Sequence, residues 1–327
     1  MTEPRNPGTD TRDIDHIESE KHGEPQAEIL DATGELGEVK GRSLWADARM
    51  RFFRNKAAVF SLGVLGLVML FAFFGGFLAQ YDPAQVDFSL MGANAYRGVP
   101  SIETGHYFGT DVDGRDLYAR TVIGTRISLL VGIVGALVAV IVGTLYGATA
   151  GYVGGRTDQI MMRIVDVLMS IPFMFVLILM LVIFGRSILM LFIGIGLISW
   201  LDMARIARGQ TLSIKNKEFV EAAVATGVSS WRIILRHVVP NLLGIVIVYA
   251  TLLVPGMIIF ESFISYLGLG IQEPMTSLGA LINLGTAQMN NGTLWMLLFP
   301  LAFFLVLLFA LFFVGDGLRD ALDPKDR

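Results

Sequence analysis

The chain has 327 residues, of which 54% are hydrophobic and only 17% are charged, and its formal net charge is −4 at pH 7. Soluble domains average about 45–50% apolar and about 25% charged residues, so this composition favours a membrane protein over one or two soluble domains. The absence of cysteine excludes disulfide frameworks, thiolate metal sites and cysteine nucleophiles.

The first 42 residues differ from the rest of the chain in charge and hydropathy. They carry eleven acidic and five basic side chains, a local net charge of −6, with no aromatic residue and no apolar run. Such a segment cannot bury enough apolar surface to offset the entropy of ordering. We therefore predict a disordered, acidic cytosolic tail over residues 1–42, followed by a transmembrane domain over residues 43–327.

Uncharged apolar stretches recur along the remainder of the chain. The first of them, Ala57–Ala79, has 23 residues without a charge. A helix of that length rises about 35 Å and can cross a hydrocarbon core of about 30 Å. The predicted fold is an all-α membrane protein with six transmembrane helices, at about 57–79, 127–150, 164–184, 188–204, 242–260 and 294–314.

The basic residues predict the orientation of these spans. With the N-terminus in the cytosol, 15 of the 20 basic residues in 43–327 fall in cytosolic segments and five in external segments. Cytosolic loops of membrane proteins carry an excess of Lys and Arg. Both termini are therefore predicted to be cytosolic.

Glycines recur every four residues at the end of the second predicted span, at Gly143, Gly147, Gly151 and Gly155. This spacing places them roughly on one helical face, where the missing side chains allow another backbone to approach closely. Two interpretations remain open. The face packs against another helix of the same chain, or it forms a seam with another subunit.

A polar segment, residues 205–240, joins the fourth and fifth predicted spans. Residues 218–226 favour a helix, and Gly227 is suited to ending it. Ser229 is placed to cap a second short helix over 231–239, which Pro240 is predicted to end. The segment is predicted to form a cytosolic helix–turn–helix.

This segment also carries a resemblance to a known family. The run Glu221-Ala222-Ala223, with Gly227 four residues later, resembles the EAA loop of binding-protein-dependent ABC importer permeases. Other stretches resemble the dipeptide and oligopeptide permeases of that family, and most of all the C-type subunit of oligopeptide importers. These stretches are Phe108–Asp111, Gly114–Asp116, Arg126–Leu129, Gly151–Pro172, Glu261–Gly270, Gln272–Pro274 and Gly315–Arg327. One departure is Leu278, where the family usually has Trp, and it puts the packing of the local external loop in question.

The resemblance implies a function and a set of partners. Such a permease sits in the bacterial inner membrane as a multi-pass subunit and forms part of a translocation pathway for oligopeptides. Its implied partners are a homologous second permease, two cytosolic ATPase subunits, an extracytoplasmic peptide-binding protein, the peptide substrate and the lipid bilayer, with no nucleic acid. The EAA loop, here Glu221, Ala222, Ala223 and Gly227, is implied to couple the permease to the ATPase.

Charged residues in or near the spans are candidate pathway or gating residues, because ionisable groups are costly at membrane depth. Arg163 and Asp166 are spaced to form a pair on one helix or to act in gating, and Asp202 with Arg205 has the same spacing. Glu261 is placed either to line the substrate path or to cap a neighbouring helix.

Several kinds of site are not predicted. The sequence has no Gly-Lys dipeptide, so a phosphate-binding loop of the G-x-x-x-x-G-K-[ST] form is absent. We predict a subunit that is not an enzyme, without catalytic residues, metal or cofactor, and any ATP is bound by partner subunits. The alternatives are a dipeptide or nickel importer of the same family, or a secondary transporter driven by an ion gradient. Inverted repeats with broken helices at the midplane would favour the secondary transporter, and the sequence shows no convincing repeat.

Overall fold

A computed structural model describes residues 44–322 of the chain. The predicted acidic tail, residues 1–42, and the last five residues lie outside this range. The described residues form ten helices, numbered α1 to α10 in chain order. Their bounds are Leu44–Arg54, Lys56–Phe74, Leu117–Val153, Gly155–Ser170, Phe173–Phe184, Ile188–Ile214, Glu218–Ala225, Ser230–Tyr266, Leu278–Ala287 and Trp295–Leu322.

The prediction of an all-α membrane protein is confirmed. Residues 44–322 contain no strand beyond two isolated bridges, and five of their helices are long and apolar enough to cross a membrane. The predicted count of six is reached when α4 and α5 are taken together as one span. The cytosolic location of the termini remains a prediction.

Helices α4 and α5 form a broken segment where one span was predicted. The two helices are bent by 76° at a break that contains Pro172. Proline has no amide hydrogen, and it disfavours helical backbone at the residue before it, here Ile171, which is extended with ψ 124°. The apolar composition alone did not indicate this bend.

Four of the observed spans, α3, α6, α8 and α10, are longer than the apolar runs that predicted them. Helix α3 begins at Leu117, ten residues before the predicted start, and its 37 residues give it a length of about 55 Å. The early turns hold Arg120 and Arg126, two charged residues that precede the predicted span. Arg126 donates a hydrogen bond to the carbonyl of Ala72 at 2.8 Å, so α2 satisfies part of this guanidinium inside the fold.

The glycine face of α3 packs against α6 within the same chain. A Cβ atom at Gly143, Gly147 or Gly151 would meet backbone or side-chain atoms of α6 within 3 Å. The first interpretation, packing inside the subunit, is therefore confirmed for these three positions. It is wrong for Gly155, which starts α4 with a positive φ of 56° and has open space around it.

The described residues contain four clusters of buried apolar side chains, and two of these join most of the long helices. One joins α3, α5, α6 and α8, and the other joins α2, α3, α8, α9 and α10. Leu278, at the start of α9, is fully buried in the second cluster, so the departure from the expected Trp leaves no packing defect there.

Candidate functional site

The EAA segment forms helix α7, which ends in a defined capping motif. The amide of Val228 donates to the carbonyl of Ala223 at 3.1 Å, and the amide of Gly227 donates to the carbonyl of Val224 at 3.0 Å. Gly227 has a φ of +78°, which L-residues rarely adopt. These bonds are the Schellman pattern, so the prediction that Gly227 ends the helix is confirmed.

One face of α7 is buried and the other is exposed. Val220 and Ala223 are 1% and 7% exposed, and they pack in a cluster with residues of α3, α6 and α8. Glu221 and Ala222 lie on the exposed face. Of the predicted coupling residues, Ala223 thus positions the helix, whereas Glu221, Ala222 and Gly227 remain accessible.

Large apolar side chains that sequence reasoning missed are also exposed, two on α7 and one in the first turn of α8. Phe219, Val224 and Trp231 are 42%, 55% and 55% exposed. The helical period could have predicted this exposure. Val220 and Ala223 are three residues apart and share the buried face, so Phe219 and Val224 lie on other faces of the helix. An exposed apolar surface beside a carboxylate is the composition of a protein-docking site.

The prediction that Pro240 ends the second helix of the helix–turn–helix is wrong. Ser229 precedes the helix as predicted, but its side chain makes no capping hydrogen bond. The helix then continues through Pro240 into α8, with a π-helical turn over Ile234–Val238. Proline inside a helix removes one amide donor, and a local π adjustment is a known way to accommodate it.

Glu261 lies at the centre of a buried polar network. Its side chain is fully buried and accepts hydrogen bonds from the hydroxyls of Ser128, Ser262 and Ser265 at 2.9, 3.2 and 2.7 Å. The Ser128 hydroxyl also accepts from the amide of Leu278 at 3.4 Å, at the first turn of α9. This geometry favours the capping interpretation of Glu261 over a place in the substrate path.

The predicted pairs within single helices do not form. Asp166 pairs instead with Arg205 across α4 and α6, with Nη2 and Oδ1 2.6 Å apart. A second bridge joins the same helices, because Arg208 donates two hydrogen bonds to Asp158 at 2.5 and 2.6 Å. Spacing along one helix does not reveal which charges a neighbouring helix brings close.

Arg163, the third candidate gating residue, takes no part in the two salt bridges between α4 and α6. It is exposed on α4, and no carboxylate of residues 44–322 lies within 4 Å of it. The two bridges therefore fix α4 against α6 without it.

A cluster of ion pairs lies at the start of α3, at the opposite end from α7. Asp111 faces Arg115 and Arg120 at 3.4 and 3.3 Å, and the same two arginines reach Glu273 at 2.5 and 3.3 Å. Arg115 also pairs with Asp113. The cluster ties the segment before α3 to the segment before α9. Asp111, Arg115 and Arg120 are buried within it, whereas the side chains of Asp113 and Glu273 are partly exposed.

The electrostatics of this cluster follow from burial and pairing. Burial raises the pKa of Asp111, and the Arg120 and Arg115 guanidinium groups offset part of that effect. A hydrogen bond from Arg115 lowers the pKa of Glu273. In residues 44–322, no three His, Asp or Glu side chains are grouped so that they could hold a metal ion.

Fold and sites together define a polytopic helical membrane protein in which the short helix α7, with one buried and one exposed face, lies between the long helices α6 and α8. The profile described as "binding-protein-dependent transport system inner membrane component" matches residues 139–327, and that of the "N-terminal TM domain of oligopeptide transport permease C" matches residues 43–95. The chain belongs to the family of binding-protein-dependent transport system inner membrane components.

Individual relatives agree with this assignment. The chain is 56% identical to the oligopeptide transport system permease protein OppC of Escherichia coli K12, over 92% of this chain and 98% of that protein. It is 53% identical to OppC of Haemophilus influenzae, over 94% and 97%. The dipeptide transport system permease protein DppC of Bacillus subtilis is 43% identical, over 86% of each chain. The resemblance to peptide importer permeases, and the place in the inner membrane, are confirmed.

Proposed function

We propose that this chain is the oligopeptide-type permease subunit of an ATP-driven importer. In this proposal both termini are cytosolic, and a homologous second permease completes the pathway. Two ATPase subunits contact the cytosolic side, and an extracytoplasmic binding protein delivers the peptide. The chain itself is not an enzyme and needs no cofactor, because its sequence has no phosphate-binding loop and the ATP is bound by its partners.

The exposed face of α7 carries the proposal. It combines a carboxylate, Glu221, with small Ala222 and apolar Phe219, on a helix that the buried Val220 and Ala223 hold against three long helices. A short helix displayed in this way fits a groove on a partner. A force applied to α7 passes directly to α3, α6 and α8 through the shared core.

The substrate class is proposed from the relatives. Identity to the oligopeptide permeases of Haemophilus influenzae and Escherichia coli is 53–56%, whereas the oligopeptide and dipeptide permeases of Bacillus subtilis are 40% and 43% identical. A dipeptide importer is therefore the second candidate. The binding specificity of the partner extracytoplasmic protein for peptides of two to five residues tests this choice directly, and exclusive binding of dipeptides would contradict the oligopeptide assignment.

Replacing Gly227 by Val tests the coupling role. A β-branched residue at φ +78° costs about 1–2 kcal/mol and disturbs the end of α7, while no neighbouring atom lies within 4 Å of the new Cβ. We expect membrane insertion and ATP hydrolysis to persist while peptide uptake per ATP falls severalfold, measured in the assembled importer.

Gly227→Asn is the matched control, because Asn tolerates the left-handed conformation better than other L-residues. It should retain most of the uptake. Normal uptake by the Val variant, or equal loss in both variants, would remove Gly227 from the coupling contact.

A further inference from the structure

A cavity opens where the broken helix pair meets α6 and α8. It has a volume of about 370 Å³, within the range of small-molecule sites. The last turn of α4, the break at Pro172, and the middle of α8 near Gly256 form its walls. Most of the lining is apolar, from side chains such as Leu253 and Phe260.

Asp202 is the one charged residue that lines this cavity. It follows the first residue of α6 by 14 positions, a rise of about 21 Å along a helix that spans a hydrocarbon core of about 30 Å. The side chain is exposed, and no cationic group of residues 44–322 lies within 4 Å of it. Its nearest basic residue in sequence, Arg205, is bound to Asp166.

The helix break brings two opposite helix ends to the cavity. Leu168 and Met169 lie in the last turn of α4 and Phe173 begins α5, so a partial negative and a partial positive helix end both line the cavity and largely offset each other. The Asp202 carboxylate is therefore the group that favours a cation here. Broken helices whose ends face a membrane cavity are a recurrent way to bind charged groups of a transported molecule.

We propose that this cavity receives the N-terminal ammonium group of a peptide in transit, with Asp202 as its counter-ion. The inference rests on the proposed function and adds a subsite to it. The ammonium is present on every unmodified peptide whatever its side chains, and the apolar walls contact side chains without selecting one. A lipid chain in the same space would leave the carboxylate among apolar groups without a cationic partner, which is costly.

The absence of cysteine allows a direct test. Gly256 lines the cavity, and no atom lies within 4 Å of a Cβ built there, so Gly256→Cys introduces a single thiol without steric conflict. The assembled importer carrying this variant, with its other subunits free of cysteine, is placed in vesicles of phosphatidylethanolamine and phosphatidylglycerol. The rate of maleimide labelling is measured with tetra-alanine, with N-acetyl-tetra-alanine and without peptide.

We expect tetra-alanine to slow the labelling and the acetylated peptide to have little effect. With Asp202→Asn added, the tetra-alanine concentration that gives half-maximal protection should rise about tenfold, because a charge-assisted hydrogen bond is lost. Asp316→Asn, an exposed carboxylate outside the cavity, is the matched control and should leave protection unchanged.

Three results would overturn the proposal. They are equal protection by both peptides, undiminished protection in the Asp202→Asn variant, and a thiol that the assembled subunits already shield without peptide. Tetra-alanine uptake by the wild-type importer is measured in parallel. Its absence would contradict the proposed function, whereas normal uptake with an unprotected thiol would contradict only this subsite.

Discussion

At the scale of single residues, Glu261 shows how a buried charge is accommodated inside a span. Three serine hydroxyls point at its carboxylate, and one of them also meets the first turn of α9. An ionised carboxylate only accepts hydrogen bonds, so surrounding donors stabilise it where water is excluded. Glu261 therefore links α8 to α3 directly and to α9 through the Ser128 hydroxyl.

Truncating this side chain should destabilise the protein. Glu261→Ala leaves buried hydroxyls without their acceptor, and an unsatisfied buried polar group costs about 1–3 kcal/mol. We expect a lower thermal unfolding temperature in detergent for the Ala variant and a smaller decrease for Glu261→Gln, which retains the shape and one acceptor oxygen.

The same pair of variants separates the two interpretations of Glu261. If the Gln variant is as stable as the wild type but transports poorly, the residue belongs to the substrate path. If the Ala variant unfolds like the wild type, the network has no structural role.

At the scale of the elements, α3 and α6 form the most extensive helix pair, and glycines determine how closely they approach. A Cβ at Gly147 would collide with the carbonyl oxygen of Ala204 and lie 2.8 Å from the amide nitrogen of Arg208. Both atoms belong to the α6 backbone, which cannot rotate away as a side chain would. The contact is therefore intolerant of even one methyl group.

Gly147→Ala should separate the two helices and reduce stability by about 1–3 kcal/mol, the usual cost of overpacking a core. Gly209→Ala is the matched control, because Gly209 lies in α6 with no atom within 4 Å of a new Cβ. The control should be neutral or more stable, by up to about 1 kcal/mol from helix propensity. The thermal unfolding temperatures of the two variants are compared with that of the wild type. Equal stability of Gly147→Ala and Gly209→Ala would refute the close contact.

Sequence patterns predicted the apolar middle of each span but not its ends. Hydropathy treats Arg120 as a boundary, yet α3 includes it because Asp111 and Glu273 lie 3.3 Å from its guanidinium. The partners are distant in sequence, so no local pattern reveals them. The same limit explains why Asp166 pairs with Arg205 rather than with Arg163.

The candidate site shows a similar division. Gly227 could be predicted as a helix end because its role depends on local backbone geometry alone. The cavity beside Asp202 could not, since it requires the 76° bend at Pro172 and the packing of α8 across it. A feature set by local backbone geometry can be predicted from the sequence, whereas a cavity depends on how distant helices pack.

At the scale of the whole molecule, the fold places distinct features along the long axis of α3. The ion-pair cluster lies at its start, helix α7 lies beside its end, and the broken pair with its cavity lies beside α6. The proposed coupling surface on α7 and the ion-pair cluster are therefore at opposite ends of one helix.

The central claim is that this chain moves oligopeptides only when ATPase partners drive it. The measurement is uptake of labelled tetra-alanine into proteoliposomes that hold either the assembled importer or this chain with its permease partner alone. Each preparation is assayed with and without ATP. The account predicts uptake in the assembled importer with ATP and in no other condition. Uptake by the permeases alone without ATP, driven by an ion gradient, would contradict it.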